Sequence, residues 1–198
     1  MDLIYLIKLI LIKKKNISNI VKIGFVGRFS PQKNHKFFFK FLHQLIIKRV
    51  NFIAYLVGDK INNKNLKLKE LIKNNKLFKN IKYLKEKQNI NMYYRKFDIL
   101  ITTSFYGESF PNVLAESILN RTICLAPNIG ENYFIINNKN LIYQKNNLED
   151  LFKKFIKLIN PKYKNQLNLI KNNLYERAKR KLSININLKK YNKLIRSI

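Results

Sequence analysis

Carboxylates are scarce in this chain: 11 Asp and Glu stand against 40 Lys and Arg, a formal net charge of +29. A balance this basic ordinarily points to nucleic acid or to an anionic membrane. The lysines form no single stripe with interleaved exposed aromatics; Lys, Asn and Ile are spread along the whole length. No nucleic-acid partner is therefore expected, and attraction to an anionic bilayer, as a peripheral contact, fits the charge better. Cysteine is down to one, Cys124, in an apolar run that reads as a buried strand, so it is a small core residue in a reducing compartment. The two histidines, His35 and His43, have no third ligand nearby, and no Asp-x-Asp occurs. Metal and zinc centres, a Ser-His-Asp order and a Walker loop are all unexpected. His35 opens a helix close to Lys33, within reach of a phosphate, and His43 reads as a surface or boundary residue. Long apolar runs are missing too. Residues 3–12 are apolar but broken by Lys8, too short to span a bilayer. Asp2 before them and Lys13, Lys14 and Lys15 after them are in the wrong order for a signal peptide. Residues 1–21 are set apart on these grounds as a strand, a membrane-touching segment or a linker end, leaving 22–198 as one domain large enough for a substantial core.

Against this scarcity, two of the few carboxylates stand together in Gly107-Glu108-Ser109-Phe110-Pro111-Asn112-Val113-Leu114-Ala115-Glu116. The preceding apolar run, Phe97 to Ile101, reads as a buried strand closed by Thr102, Thr103 and Ser104. Ser109 is the expected N-cap of the next helix, Pro111 suits its first turn, and Val113, Leu114 and Ile118 carry its apolar stripe. The amides of Phe110, Asn112 and Val113 would then point out of the helix start, a ready site for a phosphate. With about 1.5 Å of rise per residue, Glu108 and Glu116 would lie about 12 Å apart along the axis. That matches the reach from the sugar of a sugar nucleotide to its ribose.

A second block, Val21 to Asn34, reads as a strand, a glycine turn and a basic loop leading into a helix over 35–48. Phe37, Phe38, Phe41, Leu42, Leu45 and Ile46 recur there at helical spacing. Gly27 lets backbone approach a ligand. Arg28 offers a planar fork of donors and Lys33 a mobile point charge, a natural pair for a diphosphate. All five glycines (Gly24, Gly27, Gly58, Gly107, Gly130) fall at expected strand ends or tight loops. The rest alternates: strands over 22–26, 52–57, 81–84, 98–102, 122–126 and 141–143, helices over 66–75, 90–96, 110–120 and 131–136, then helices to the end. This predicts an α/β, Rossmann-like parallel sheet with helices on both faces and C-terminal helices. Ligands of such sheets sit at the carboxyl ends of strands, where Gly27, Arg28, Gly58, Asp59, Gly107 and Glu108 all fall.

The ordered pair Gly27-Arg28…Lys33 and Glu108…Glu116 resembles the C-terminal, donor-binding domain of a family 4 retaining glycosyltransferase of the GT-B fold. Ala54 to Asp59, Asn80 to Leu84, Tyr93 to Asp98, Thr122 to Asn132 and the tail from Arg177 through Leu188 to Tyr191 fall in line with it. Lys85 stands where the family usually has glycine. The Ser-Phe-Pro-Asn form of the motif looks most like enzymes of bacterial surface polysaccharides (O-antigen, capsule, lipopolysaccharide). The resemblance implies sugar transfer from a UDP- or GDP-linked donor to a glycan or lipid-linked acceptor, without a metal or other cofactor. It implies diphosphate contacts from Arg28 and Lys33, donor-sugar contacts from Glu108, and ribose contacts from Glu116. Gly27 and the Ser109, Phe110, Pro111, Asn112 and Val113 segment would cover the phosphate and sugar. Arg28, Lys33 and Glu108 would carry the catalysis. It also implies a cytoplasmic place, peripheral to the inner face of the cell membrane. A GT-B enzyme has two such halves, and this length accommodates one. The chain is thus expected to need an N-terminal acceptor half, as a separate chain; a non-catalytic nucleotide-sugar module and a truncated remnant are the alternatives.

Overall fold

The computed structural model describes residues 20–84 and 90–181. Lys85, the 3–12 stretch and the tail from Leu188 lie outside them. Six strands form one sheet: β1 (Val21–Val26), β2 (Phe52–Val57), β3 (Ile81–Tyr83), β4 (Ile99–Ile101), β5 (Ile123–Pro127) and β6 (Ile142–Tyr143), in the order β3-β2-β1-β4-β5-β6. Every neighbouring pair runs parallel. This is the expected Rossmann-like sheet. Parallel strands need crossovers, which here are mostly helical. They are α1 (His35–Ile47), α2 (Leu66–Asn74), α3 (Asn91–Tyr94), α4 (Asn112–Leu119), α5 (Asn132–Ile136), α6 (Leu148–Ile159) and α7 (Lys164–Lys181). The strand order reverses between β1 and β4, and the helix contacts fall into two groups, α1 with α2 and α6, and α4 with α3, α5 and α7.

The core follows from the sequence pattern. β4 and β5 are buried along their whole length, as unbroken apolar runs covered on both faces should be. On α1, Phe38, Phe39, Phe41, Leu42 and Leu45 are buried, and Phe41 meets Phe155 of α6 edge-on with ring centroids 5.2 Å apart. Asparagines start three helices: the side chains of Asn34, Asn65 and Asn147 accept from the amides of Phe37, Leu68 and Asp150, each satisfying a donor with no partner inside its helix. In a chain so rich in Asn, that composition finds local use. Among the described residues no helix is long and apolar enough to cross a membrane.

Two local expectations change. Gly24 lies inside β1, not at its end, and a Cβ there would come within 2.1 Å of the Phe97 ring. The glycine leaves room for that aromatic ring to lie against the strand. The 110–120 helix starts later than expected, at Asn112, and Pro111, not Ser109, is its N-cap, with no side-chain capping bond. Proline, with its fixed φ and lack of an amide, ends the loop by itself.

Candidate functional site

The two loops that leave β1 and β4 meet at the switch point. Gln32 is the hinge of that meeting: its Nε2 donates to the Gly107 carbonyl at 2.8 Å, and its own carbonyl accepts from the Phe105 amide at 2.8 Å. Thr103 Oγ1 donates to the Lys33 carbonyl at 2.8 Å. Two segments about 75 residues apart in sequence are thereby held in one register.

On that frame Lys33 Nζ reaches Glu108 Oε1 at 2.5 Å, with the Glu108 side chain only 8% exposed. Ser104 Oγ donates to the same oxygen at 2.5 Å. Among the described residues this is the ion pair that joins separate elements; the other two are i,i+4 pairs on α6. Glu108 Oε2 has no partner among the described residues and is not shut off from solvent. Glu116 repeats the arrangement. Its Oε2 accepts from the phenol of the buried Tyr94 at 2.8 Å, and its Oε1 is left without a partner. Burial, reinforced by Glu116, pushes the Tyr94 phenol far above its ordinary pKa, so it stays a donor. Each carboxylate is anchored through one oxygen and offers the other.

The remaining expected residues surround this pair. Arg28, Gln32, Lys33, Gly27, Gly58 and Asp59 line an open cleft of about 520 Å³ at the ends of β1 and β2. Arg28 makes one long contact, 3.5 Å from Nη2 to Gln32 Oε1, and is otherwise free. At Gly27 a Cβ would meet the aliphatic stem of Lys33 at 3.3 Å, so the glycine leaves that stem room to lie on the backbone. Ser109, Phe110 and Asn112 are exposed, Pro111 is buried and Val113 is half-buried. Among the described residues the amides of Phe110, Asn112 and Val113 have no acceptor, the condition under which a helix start receives an anion. Glu108 is not on that helix, so the axial spacing assumed for two helical carboxylates does not apply; only Glu116 sits on α4. Gly130, with φ of +47°, passes against the Glu108 backbone, where a Cβ would come within 1.6 Å of its carbonyl oxygen.

Elsewhere the sequence reading is mixed. His35 faces away from the Lys33–Glu108 pair, buried among Phe25, Phe29 and Phe39. His43 is half-buried with Nδ1 2.9 Å from the Asn75 carbonyl. Cys124 is buried, 2.8 Å from Ser117 Oγ, and burial pushes its thiol up to about 12. Among the described residues no cluster of three His, Cys, Asp or Glu is arranged to hold a metal. Gln32, Ser104 and Tyr94 were not distinguished by sequence. The first two lay inside noted segments without a role, and Tyr94 read as an apolar-face aromatic.

The fold has known counterparts. Residues 9–177 match the family model described as glycosyl transferases group 1. The chain belongs to this family. No curated protein matches the sequence significantly. Among solved structures, a glycosyltransferase from Rickettsia africae ESF-5 is 25% identical with a TM-score of 0.80, covering 98% of this chain and 52% of that one. Anabaena Alr3699/HepE, solved with UDP and glucose, is 21% identical with a TM-score of 0.76 over 98% of this chain and 52% of its own. The catalytic domain of cholesterol-alpha-glucosyltransferase from Helicobacter pylori is 18% identical, with a TM-score of 0.68, covering 81% of this chain and 98% of that one. The present group 1 chain thus spans about half the length of the Rickettsia and Anabaena proteins. Its fold is that of a GT-B glycosyltransferase half.

Proposed function

We propose that this chain is the donor-binding half of a retaining glycosyltransferase of family 4, acting in surface-polysaccharide synthesis. One observation carries the reading: the β1 loop and the β4 loop join through Lys33 and Glu108 beside the free guanidinium of Arg28. In this reading a nucleoside diphosphate sugar, UDP- or GDP-linked, lies across the cleft. Its diphosphate takes Arg28, Lys33 and the open amides of Phe110, Asn112 and Val113. Its ribose hydroxyls donate to Glu116 Oε1 and its sugar hydroxyls to Glu108 Oε2.

The reaction breaks the bond between the anomeric carbon and the diphosphate oxygen, and the diphosphate leaves with the electron pair. A hydroxyl of a glycan or lipid-linked acceptor forms the new bond to the anomeric carbon and gives its proton to the departing diphosphate oxygen. Arg28 and Lys33 stabilise the charge that grows on the leaving group, so no metal is needed for that task. Lys33 begins paired with Glu108, and the arriving diphosphate competes for its ammonium. The acceptor surface would come from a separate N-terminal half, and the basic surface would hold the complex against the inner face of the cell membrane.

Calorimetric titration with UDP, GDP and their sugars tests the reading, with Arg28→Ala/Lys33→Ala as the control. Losing two charge-assisted contacts should weaken binding about a hundredfold or more. A folded chain that binds no nucleotide would leave a family fold without its donor function.

A further inference from the structure

The turn at Ser30, Pro31, Gln32 and Lys33 is a wall between two clefts. Gln32 and Lys33 line the one described above. Ser30 and Pro31 line a second, larger one of about 680 Å³, which runs between the start of α1 and the β2–α2 loop. Lys36, Lys60, Lys64 and Lys67 all line it, and no carboxylate does. None of the four lysines has an ion-pair or hydrogen-bond partner through its ammonium group. Four like charges around one concavity repel one another and focus a positive potential inside it.

The floor adds an independent sign. His35 is 3% exposed, and its Nε2 and the Ser30 Oγ are buried polar atoms with no partner. Such atoms are uncommon in native folds and unfavourable when left empty. A hydroxyl, which both donates and accepts, would satisfy either tautomer of the imidazole as well as the serine oxygen. The rim therefore calls for an anion and the floor for a hydroxyl.

We infer that this second cleft binds a phosphorylated polyol, its phosphate held by Lys36, Lys60, Lys64 and Lys67 and a hydroxyl directed to His35 and Ser30. The site is separate from the donor cleft and does not depend on the donor reading. Because the two clefts share one short turn, its occupation bears on the position of Lys33. The same chemistry is offered by a soluble polyol phosphate and by the headgroup of phosphatidylglycerol.

The test uses the full chain and the triple variant Lys60→Gln/Lys64→Gln/Lys67→Gln, all exposed positions. Unchanged UDP binding and thermal melting would show that the variant is folded. Glycerol 3-phosphate and inorganic phosphate are titrated by calorimetry, and vesicles of phosphatidylglycerol or phosphatidylcholine by co-sedimentation. Glycerol 3-phosphate should bind more tightly than inorganic phosphate and lose about tenfold or more in the triple variant. Arg28→Ala/Lys33→Ala should leave that binding in place. Vesicle binding that needs phosphatidylglycerol and is lost in the triple variant, with no soluble binding, assigns the headgroup as the source. Absence of both, binding undiminished in the triple variant, or binding abolished by Arg28→Ala/Lys33→Ala overturns the inference. Failure of UDP to bind would sink the donor reading alone.

Discussion

Glu108 Oε1 accepts two hydrogen bonds, from Lys33 Nζ and from Ser104 Oγ, each at 2.5 Å, while its other oxygen takes none. The carboxylate is oriented before any ligand arrives. Glu108→Ala should therefore weaken a nucleotide sugar by about tenfold or more, the worth of a hydrogen bond to a charged group. Free UDP should bind as well or better, since Lys33 loses the partner that competes with phosphate. Calorimetry with UDP and UDP-glucose separates the two, and equal losses for both ligands would remove Glu108 from the sugar end.

Tyr94 holds Glu116 from below, through a phenol that burial keeps protonated. Tyr94→Phe deletes one oxygen and leaves the ring packing. It should cost about 1 kcal/mol of stability and weaken UDP several-fold by releasing Glu116. The raised pKa also sets a sign. The unfolded phenol ionises near pH 10 and the folded one above it, so the folded state holds its proton longer and stability falls as pH rises past about 10. Denaturant titrations from pH 9 to 11 should show a shallower loss in Tyr94→Phe; identical slopes would refute the assignment.

At Gly130 one backbone passes close against that of Glu108. Its positive φ and the nearness of the Glu108 carbonyl leave no room for a methyl group. Gly130→Ala should lower stability by about 1–3 kcal/mol and displace Glu108, so that donor-sugar affinity falls with the melting temperature. A variant with native melting and native UDP-glucose binding would show that this contact does not fix Glu108.

His35 gives the acid dependence. Burial, with a smaller push from Lys33 against a pull from the Ser30 backbone, lowers it from 6.5 to about 4. The unfolded chain binds that proton first, so the contribution is complete above about pH 6.5 and is lost as pH falls towards 4, about 3 kcal/mol in all. His35→Phe, placed among Phe25, Phe29 and Phe39, should flatten that slope. Urea unfolding at pH 7, 5.5 and 4.5 measures it, and parallel curves for both proteins would contradict the assignment.

The sheet, the helices and the two loops were legible because each rests on local signals: apolar period, and glycine at strand ends or in tight loops. The unpartnered amides of Phe110, Asn112 and Val113 were legible on the same grounds, even though the cap is Pro111 and not Ser109. What stayed hidden is pairwise. Nothing local in Lys33 or Ser104 names Glu108, and nothing in Tyr94 distinguishes a core ring from a ring whose hydroxyl orients a carboxylate. The lysine-lined cleft was hidden for the opposite reason: with lysine everywhere, only packing shows which four converge on an unpartnered histidine.

Since β1 and β4 are sheet neighbours far apart in sequence, the site straddles the seam between the two half-sheets. A nucleotide seated there would act as a staple across that seam, raising the free energy of separating the halves and not merely of opening one loop. Ligand protection should then extend to amides of β2 and β5, which lie one strand beyond the seam on either side, and the two halves should lose it together.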